Sequence, residues 1–196
     1  MADQDETGTR VPVLGGGEPV STDVIVRGAR NALGMRRRAR TSVREVRAVM
    51  VASELVHHPM WIAKVLTYAD RPPFSPKVTP NAVFVDAVSG YRGVLETMPA
   101  MDQPLPERAN RPEATIATAE AAKAYVDAVL QKVNRQYMLR KPRHEIAELL
   151  QVALPLIRVR LDLDGGTDVV INGNTGAPET YMASLWGKDD WHDLTR

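Results

Sequence analysis

The amino-acid sequence predicts an α+β fold of two related units, each with two helices and a small antiparallel three-stranded meander. Three observations support this prediction. An amphipathic segment stopped by a proline precedes an apolar, strand-like run twice, at Pro59 and at Pro155. Each run leads to a turn in which Asp or Asn is followed, three and four residues later, by a hydroxyl residue and glycine, at 86–90 and 172–176. A further helical pattern precedes each amphipathic segment.

The bulk composition is that of an ordinary globular protein. The chain has 196 residues, 44% hydrophobic and 25% charged, so a packed core is expected. A net charge of +1 indicates by itself neither nucleic-acid nor membrane binding. There are no cysteines, which excludes disulfides, thiolate metal sites and cysteine nucleophiles. With no apolar run near the ~20 residues of a membrane span and no apolar signal segment, a cytoplasmic location is expected.

Residues 1–20 are predicted to form an extended N-terminal tail without core structure. The tail begins with acidic residues, and three glycines follow at 15–17. Pro12 and Pro19 oppose helix formation. The glycine run lacks the preceding strand, the following helix and the Lys-Ser/Thr of a phosphate-binding loop. We therefore expect the tail to be held only where a partner or sister subunit contacts it.

The first unit is predicted to span residues 21–96 and to open with two helices. N-cap formers followed by apolar residues at helical spacing predict the first helix over 22–40. Ser42 and Glu45 form a capping-box pattern that begins the second helix. That helix is expected to run through residue 58, since Pro59 would clash with the preceding turn.

The predicted meander of the first unit has strands over 60–69, 81–86 and 91–95. The first two are separated by residues 70–80, which contain four prolines. Because proline donates no backbone hydrogen bond, this segment is expected to lie outside the central sheet as a stiff, exposed loop. A Pro-rich linker over 97–112 follows the meander.

The second unit is predicted to span residues 113–183. Strong helix formers with a regular apolar series predict a helix over 113–137. A second helix is expected over 143–153, where Pro155 stops it. The strands are predicted over 156–163 and 168–172, joined by a tight hairpin turn, with a short third strand after them.

The two turns of these units are predicted to be structural. Asp86 can accept hydrogen bonds from backbone amides of its turn, and Gly90 can adopt a positive φ. Asn172 and Gly176 are the matching residues of the second turn. The second hairpin is ten residues shorter than the first, and the difference falls on the Pro-rich loop.

A helix followed by a meander, with a D-x-x-[ST]-G turn before the last strand, resembles PepSY-like domains and related cystatin-like folds. The matching residues lie at 83–90 and 170–176, and the second copy departs by having Asn172 in place of the Asp. The resemblance covers less than half of the chain. It implies a non-catalytic inhibitory, propeptide-like or scaffolding module.

The histidines and acidic residues do not form a catalytic or metal-binding pattern. His57 and His58 lie at the end of a predicted helix, where neighbouring side chains diverge by about 100° and rarely bind one ion. His144 and His192 add no ligand spacing. The acidic residues of 162–168 lack the spacing and terminal Glu of a calcium loop. No catalytic residue, metal site or cofactor is predicted, and the chain is predicted not to be an enzyme.

Eight arginines and one acidic residue, Glu45, lie between residues 27 and 47, which gives this segment a net charge of about +7. It can contact nucleic-acid phosphates or an acidic protein surface. The segment has no aromatic residues for base stacking, and protein contact is favoured. The arginines assigned to partner binding are Arg27, Arg30, Arg36, Arg37, Arg38, Arg40 and Arg44.

Two more segments are assigned to partner binding. Pro73 and Phe74 lie in the Pro-rich loop, and Trp186 and Trp191 lie in a C-terminal tail over 184–196. The tryptophans either anchor a partner or pack on the protein's own sheet. The leading interpretation is a non-enzymatic accessory or structural subunit of a larger assembly, with other subunits or a second copy as partners. The alternatives are a nucleic-acid-binding protein using the arginines, and a small-molecule-binding or enzymatic cystatin-like domain.

Overall fold

The computed structural model describes residues 11–15, 18–101, 103–105, 108–137 and 140–186. In this part of the chain, helices pack on a single seven-stranded sheet, so the α+β prediction is confirmed. The helices are α1 (Thr22–Ala32), α2 (Met35–Arg40), α3 (Val43–Val49), α4 (Ala119–Asn134) and α5 (Thr180–Trp186). The strands are β1 (Pro12–Val13), β2 (Met50–Arg71), β3 (Phe74–Asp86), β4 (Arg92–Leu95), β5 (Gln103–Pro104), β6 (Arg143–Leu161) and β7 (Thr167–Asn172). None of the described helices is long and apolar enough to cross a membrane.

The sheet is built around one long antiparallel ladder between β2 and β6. Pairing runs from Met50 opposite Leu161 to Tyr68 opposite Arg143. On the side of β2 away from β6, the sheet continues with β3 and then β4. Outside β6, β7 pairs antiparallel with the C-terminal part and β1 pairs parallel at one position. Strands from the two predicted units therefore share one sheet.

The second predicted helix of the first unit is mostly wrong. Its capping box is present: Ser42 Oγ accepts from the Glu45 amide at 3.2 Å, and a Glu45 carboxylate oxygen accepts from the Ser42 amide at 2.6 Å. The helix it begins, α3, nevertheless ends at Val49, and β2 continues through His58 to Arg71. Pairing with β6 supplies the backbone hydrogen bonds that the helix would have made, so tertiary context overrides the local pattern.

The second predicted helix of the second unit, over 143–153, is wrong in full. These residues form the first half of β6, paired with β2. Glu, Ala and Leu in this stretch favour helix intrinsically, but the exposure of residues 143–146 alternates as in a strand. The other two helical predictions hold with shorter bounds: 22–40 is divided into α1 and α2, and 113–137 contains α4.

The Pro-rich segment 70–80 is a hairpin rather than a loop. β2 continues to Arg71, β3 begins at Phe74, and these two residues are paired. The turn consists of Pro72 and Pro73, joined by a cis peptide bond. The predicted exposure of the segment is confirmed, because every residue from 71 to 80 is exposed.

The third strand predicted for the second meander is reduced to a single bridge between Ile171 and Pro178. The described part of the predicted N-terminal tail also differs from expectation. Val13 and Leu14 are buried, and the Leu14 amide donates to the Ala153 carbonyl at 2.8 Å. Residues 11–15 therefore belong to the sheet, while residues 1–10 lie outside the described part.

The period of two along the strands separates two faces of the sheet. Trp61 and Val65 of β2 face α4, and Ile157 and Val159 of β6 face α1 and α3, all on one face. The alternate residues form the opposite face. Here β2 and β6 contact residues 95–101 and Leu14, and α5 packs where β6 meets β7.

Candidate functional site

The turn after β3 is held by the side chain of Asp86. Its Oδ1 atom accepts hydrogen bonds from the amides of Val88 at 2.8 Å and Ser89 at 3.1 Å. The Gly90 amide donates to the Asp86 carbonyl at 3.0 Å, and Gly90 has a φ of 73° that an L side chain rarely adopts. The Ala87 amide ties the turn to the sheet by donating to the Pro59 carbonyl at 3.1 Å.

The turn after β7 repeats these contacts with different residues. Asn172 Oδ1 accepts from the amides of Asn174 at 3.0 Å and Thr175 at 3.2 Å. The Gly176 amide donates to the Asn172 carbonyl at 2.8 Å, with a Gly176 φ of 72°. The Gly173 amide donates to a proline carbonyl, that of Pro155, at 2.7 Å.

The two turns differ in the partner outside the turn. Asp86 Oδ1 also accepts from His58 Nε2 at 2.9 Å, whereas Asn172 Nδ2 donates to Glu179 Oε1 at 3.0 Å. A carboxylate suits the donor on His58, and an amide nitrogen suits the acceptor on Glu179. The partner therefore explains why one turn has Asp and the other has Asn.

The Asp86 carboxylate is buried but ionised at neutral pH. Its burial acts to raise its pKa, but the hydrogen bond and charge of His58, with the amides of Val88 and Ser89, lower the pKa overall. Asp86 is 3% exposed and His58 is fully buried. This contact joins the turn to the middle of the β2–β6 ladder, where His58 lies opposite Leu154.

The two neighbouring histidines were expected at a helix end and instead lie within β2. Successive side chains of a strand point to opposite faces, so the strand also keeps them from binding one ion. His57 is 7% exposed, and its Nδ1 atom has no hydrogen-bond partner among the described residues. Burial lowers the pKa of His57. No group of side chains suited to a metal ion occurs in the described ranges.

The arginines of 27–47 divide into two groups. Arg30 binds the protein itself, donating to the carbonyls of Thr41 at 2.7 Å and Arg38 at 2.9 Å. Arg37 forms an ion pair with Asp164 at 2.6 Å, and Arg27 donates to the Asp23 carbonyl at 3.2 Å. The remaining predicted residues are exposed, and their side chains make no hydrogen bond or ion pair with the described residues. We call them the Arg surface: Arg36, Arg38, Arg40 and Arg44.

The β2–β3 hairpin extends past the rest of the sheet. The pairing of β2 with β6 ends at Tyr68, which pairs with Val78 on its other side. Beyond this point β2 pairs only with β3, and we call residues 69–77 the hairpin arm. Pro73 is in its turn, and Phe74, with 73% of its surface exposed, lies beside it.

The predicted tryptophan anchors are only partly described. Trp186 is the last residue of α5, but its side chain lies outside the described part. Trp191 lies outside the described residues altogether. The preceding residues Met182 and Leu185 of α5 are buried against Leu156 and Val170. They place the start of the predicted C-terminal tail on the sheet.

A cavity of about 430 Å³ lies on the sheet face opposite α1 and α4. We call it the central cavity. Most of its wall is apolar. Its polar lining includes Asp86 and Asn172 from the two turns and their respective partners, His58 and Glu179. Sequence reasoning missed the cavity because its lining comes from segments distant in the chain. The alternation of His58, Met60 and Ile62 in β2 is the local signal, but the predicted helix included His58 and separated it from the strand predicted over 60–69.

A scan of protein-family models and searches of curated proteins and of solved structures found no match to this chain. The resemblance to PepSY-like domains stays a prediction. Function is therefore argued below from the arrangement of the described residues.

Proposed function

We propose that this protein is a non-enzymatic accessory or structural subunit of a larger protein assembly and acts through protein–protein contacts. The observation that supports this most is the hairpin arm, an apolar-tipped projection that none of the described residues covers. The Arg surface is the second contact region. The two lie at opposite ends of the β2–β6 ladder.

The hairpin arm is suited to insertion into a groove of a partner. Phe74 in the arm has 73% of its surface exposed, and Val78, directly after the arm, has 49%. Exposed apolar side chains on a projecting element are typical of interaction sites. The outer edge of β3 contains Pro76 in the arm and Pro80 just beyond it, which lack backbone donors, and β4 pairs only with residues 82–85. Proline on an edge opposes addition of another strand, so the arm is expected to bind through its side chains.

The Arg surface is suited to an acidic protein. All of α2 is exposed, and it is held in place by Arg30 and by the Arg37–Asp164 ion pair. Asp164 lies in the short β6–β7 turn, so this ion pair links α2 to the tip of that hairpin. The guanidinium groups of the Arg surface, which pair with none of the described residues, steer an acidic partner and add specificity.

The separation of the two regions favours a connecting role. β2 has 22 residues, which at roughly 3.3 Å each gives a contour of about 70 Å from α3 to the turn of the hairpin arm. A single small domain would not reach both ends. We therefore infer that the protein bridges two partners, or two copies of one partner.

We also infer that the two halves are related units. His58 precedes Pro59 as Leu154 precedes Pro155, and His58 and Leu154 face each other across the ladder. A two-fold axis that passes between His58 and Leu154 would produce this pairing. The matching contacts of the Asp86 and Asn172 turns, and of α1 and α4 on one face, support the same relation. A long hairpin in only one half indicates that the arm has a role beyond folding.

Affinity purification from the cells that naturally produce the protein tests the proposal. In the first variant Asn-Gly replaces residues 69–77, which closes the hairpin directly after the Tyr68–Val78 pair. In the second, the four arginines of the Arg surface become Glu. We expect a stoichiometric partner with the natural protein and loss of a partner with each variant. The control reverses Lys123 and Lys132 on the exposed side of α4.

The nucleic-acid alternative predicts a different outcome. RNA or DNA would shift in a gel at low salt, since phosphate contacts are strongest there, and the four reversals on the Arg surface would abolish the shift. The shortened hairpin arm would have no effect on that shift. A lone monomer that purifies without a stoichiometric protein would contradict the proposed function.

A further inference from the structure

We propose that the central cavity binds a small organic cation, an amine or ammonium compound with an apolar body. This inference is independent of the protein–protein contacts, because the cavity lies between the hairpin arm and the Arg surface. Its volume of about 430 Å³ falls within the range of small-molecule sites. Its apolar wall includes Leu14, Met60, Ile62 and Leu154, which matches an apolar ligand body.

The charge of the lining selects the sign of the ligand. Asp86 and Glu179 contribute carboxylates to the wall, and His58 is the basic side chain among the described lining residues. No lysine or arginine occurs in that lining. The described lining is therefore net negative, because it has two carboxylates and one basic side chain. An apolar surrounding strengthens the attraction of a carboxylate for a cation, whereas an anionic ligand would be repelled.

The geometry of Asp86 leaves one oxygen for a ligand. The hydrogen bonds from Val88, Ser89 and His58 all end on Oδ1. Among the described residues, none donates to Oδ2. A carboxylate oxygen in this position, on a side chain 3% exposed and at the cavity wall, can accept from an ammonium N–H.

Aromatic rings supply a second contact for a cation. Tyr91 and Tyr181 both line the cavity, with ring centroids 4.5 Å apart, and Phe84 lies 5.7 Å from Tyr91. Tyr91 is 52% exposed and Tyr181 is 37% exposed, so this end of the cavity reaches the surface. Aromatic faces attract ammonium groups, and a ligand could enter here.

Calorimetric titration of the full chain with octylamine, octanol and octanoate tests the inference. The three probes have matched chains and are cationic, neutral and anionic. Octylamine is expected to bind about tenfold or more tightly than octanoate, with octanol between them. Equal affinity for all three, or no binding of octylamine at millimolar concentration, would overturn the inference.

Variants locate the binding. Asp86→Asn keeps an acceptor for the turn but removes the charge, and we expect about tenfold weaker octylamine binding with octanol unchanged. Glu179→Gln keeps the acceptor for Asn172 and is expected to weaken octylamine binding less; it is used if Asp86→Asn does not fold. Asp168→Asn is the control, since Asp168 pairs with Arg158 outside the cavity. Equal octylamine affinity in the natural protein and both cavity variants would place the probe elsewhere and contradict the inference.

Discussion

His58 Nε2 lies 2.9 Å from Asp86 Oδ1, and both side chains are almost wholly buried. This contact joins the centre of the β2–β6 ladder to the turn after β3. We expect Asp86→Ala to destabilise the protein by about 2–4 kcal/mol, because it removes acceptors for two amides and a histidine. Asp86→Asn should cost less, about 1–2 kcal/mol, since Asn172 holds the matching turn with an amide. Urea unfolding measures both, and equal losses would contradict this account.

The same contact predicts a dependence on acid. Because the folded-state pKa of Asp86 is lowered, its carboxylate stabilises the fold above the ordinary carboxylate value of about 3.9. That contribution is lost as the pH falls through the folded-state pKa. The free energy of unfolding should therefore decrease less steeply between about pH 5 and pH 3 in Asp86→Asn than in the natural protein. Parallel curves for the two proteins would rule out a lowered Asp86 pKa.

Gly28 lies where α1 meets the turn after β7. A Cβ atom at Gly28 would lie 2.4 Å from the Gly176 carbonyl oxygen and 3.0 Å from Ile171 Cγ2. Gly28→Ala should therefore destabilise by about 1–3 kcal/mol, although alanine is the better helix former. Gly34→Ala is the matched control, because nothing lies within 4 Å of its Cβ position. Its effect on the melting temperature should be small, and a stabilised Gly28→Ala would show that α1 does not pack this closely.

Replacing His57 or His144 by leucine is expected to have different effects on stability. His57→Leu removes a buried Nδ1 atom without a partner among the described residues, so we expect no loss of stability at pH 7. His144→Leu removes contacts to Thr67 and Asn134, both at 3.1 Å, and should cost about 1–3 kcal/mol. Thermal unfolding of the two variants at pH 7 compares these costs. The reverse order of stability would contradict the assigned contacts.

The pH dependence of His57→Leu follows from the lowered pKa of His57. In the unfolded chain His57 binds a proton near pH 6.5, whereas in the folded chain it does so only at a lower pH. His57 therefore makes the natural protein less stable as the pH falls. The variant should lose less stability between pH 7 and pH 5.5. An unchanged slope would indicate that folding does not lower the pKa of His57.

The sequence predicted those features whose signals are local. N-cap formers and apolar spacing predicted α1, strong helix formers and apolar spacing predicted α4, and Ser42 with Glu45 predicted the start of α3. Asp86 and Gly90 were interpretable because a turn needs an acceptor side chain and a positive φ within a few residues. These signals require no knowledge of the rest of the fold.

The errors arose where distant segments decide the structure. Residues 50–58 and 143–153 contain good helix formers, yet they pair with residues 154–161 and 59–68, respectively, along the β2–β6 ladder. Local propensity cannot show a partner about a hundred residues away, and strand pairing depends on such contacts. The central cavity was missed for the same reason, since β2, β3, β6 and α5 all contribute to it.

Shortening the hairpin arm is expected to change binding and not folding. Residues 71–80 are all exposed, and β6 no longer flanks the hairpin beyond Tyr68. The variant with Asn-Gly in place of residues 69–77 should therefore unfold within about 1 kcal/mol of the natural protein, as surface changes usually do. Chemical denaturation checks this. A large loss of stability would assign the arm a structural role and weaken the proposed function.

Native mass spectrometry of the affinity-purified complex tests the bridging role most directly. The natural protein should give a complex containing two partner molecules, identical or different. The arm-shortened variant should keep only the partner bound at the Arg surface, and the Arg-surface variant should keep only the partner bound at the hairpin arm. A complex with a single partner that either variant abolishes completely, or a monomer alone, would contradict a subunit that connects two others.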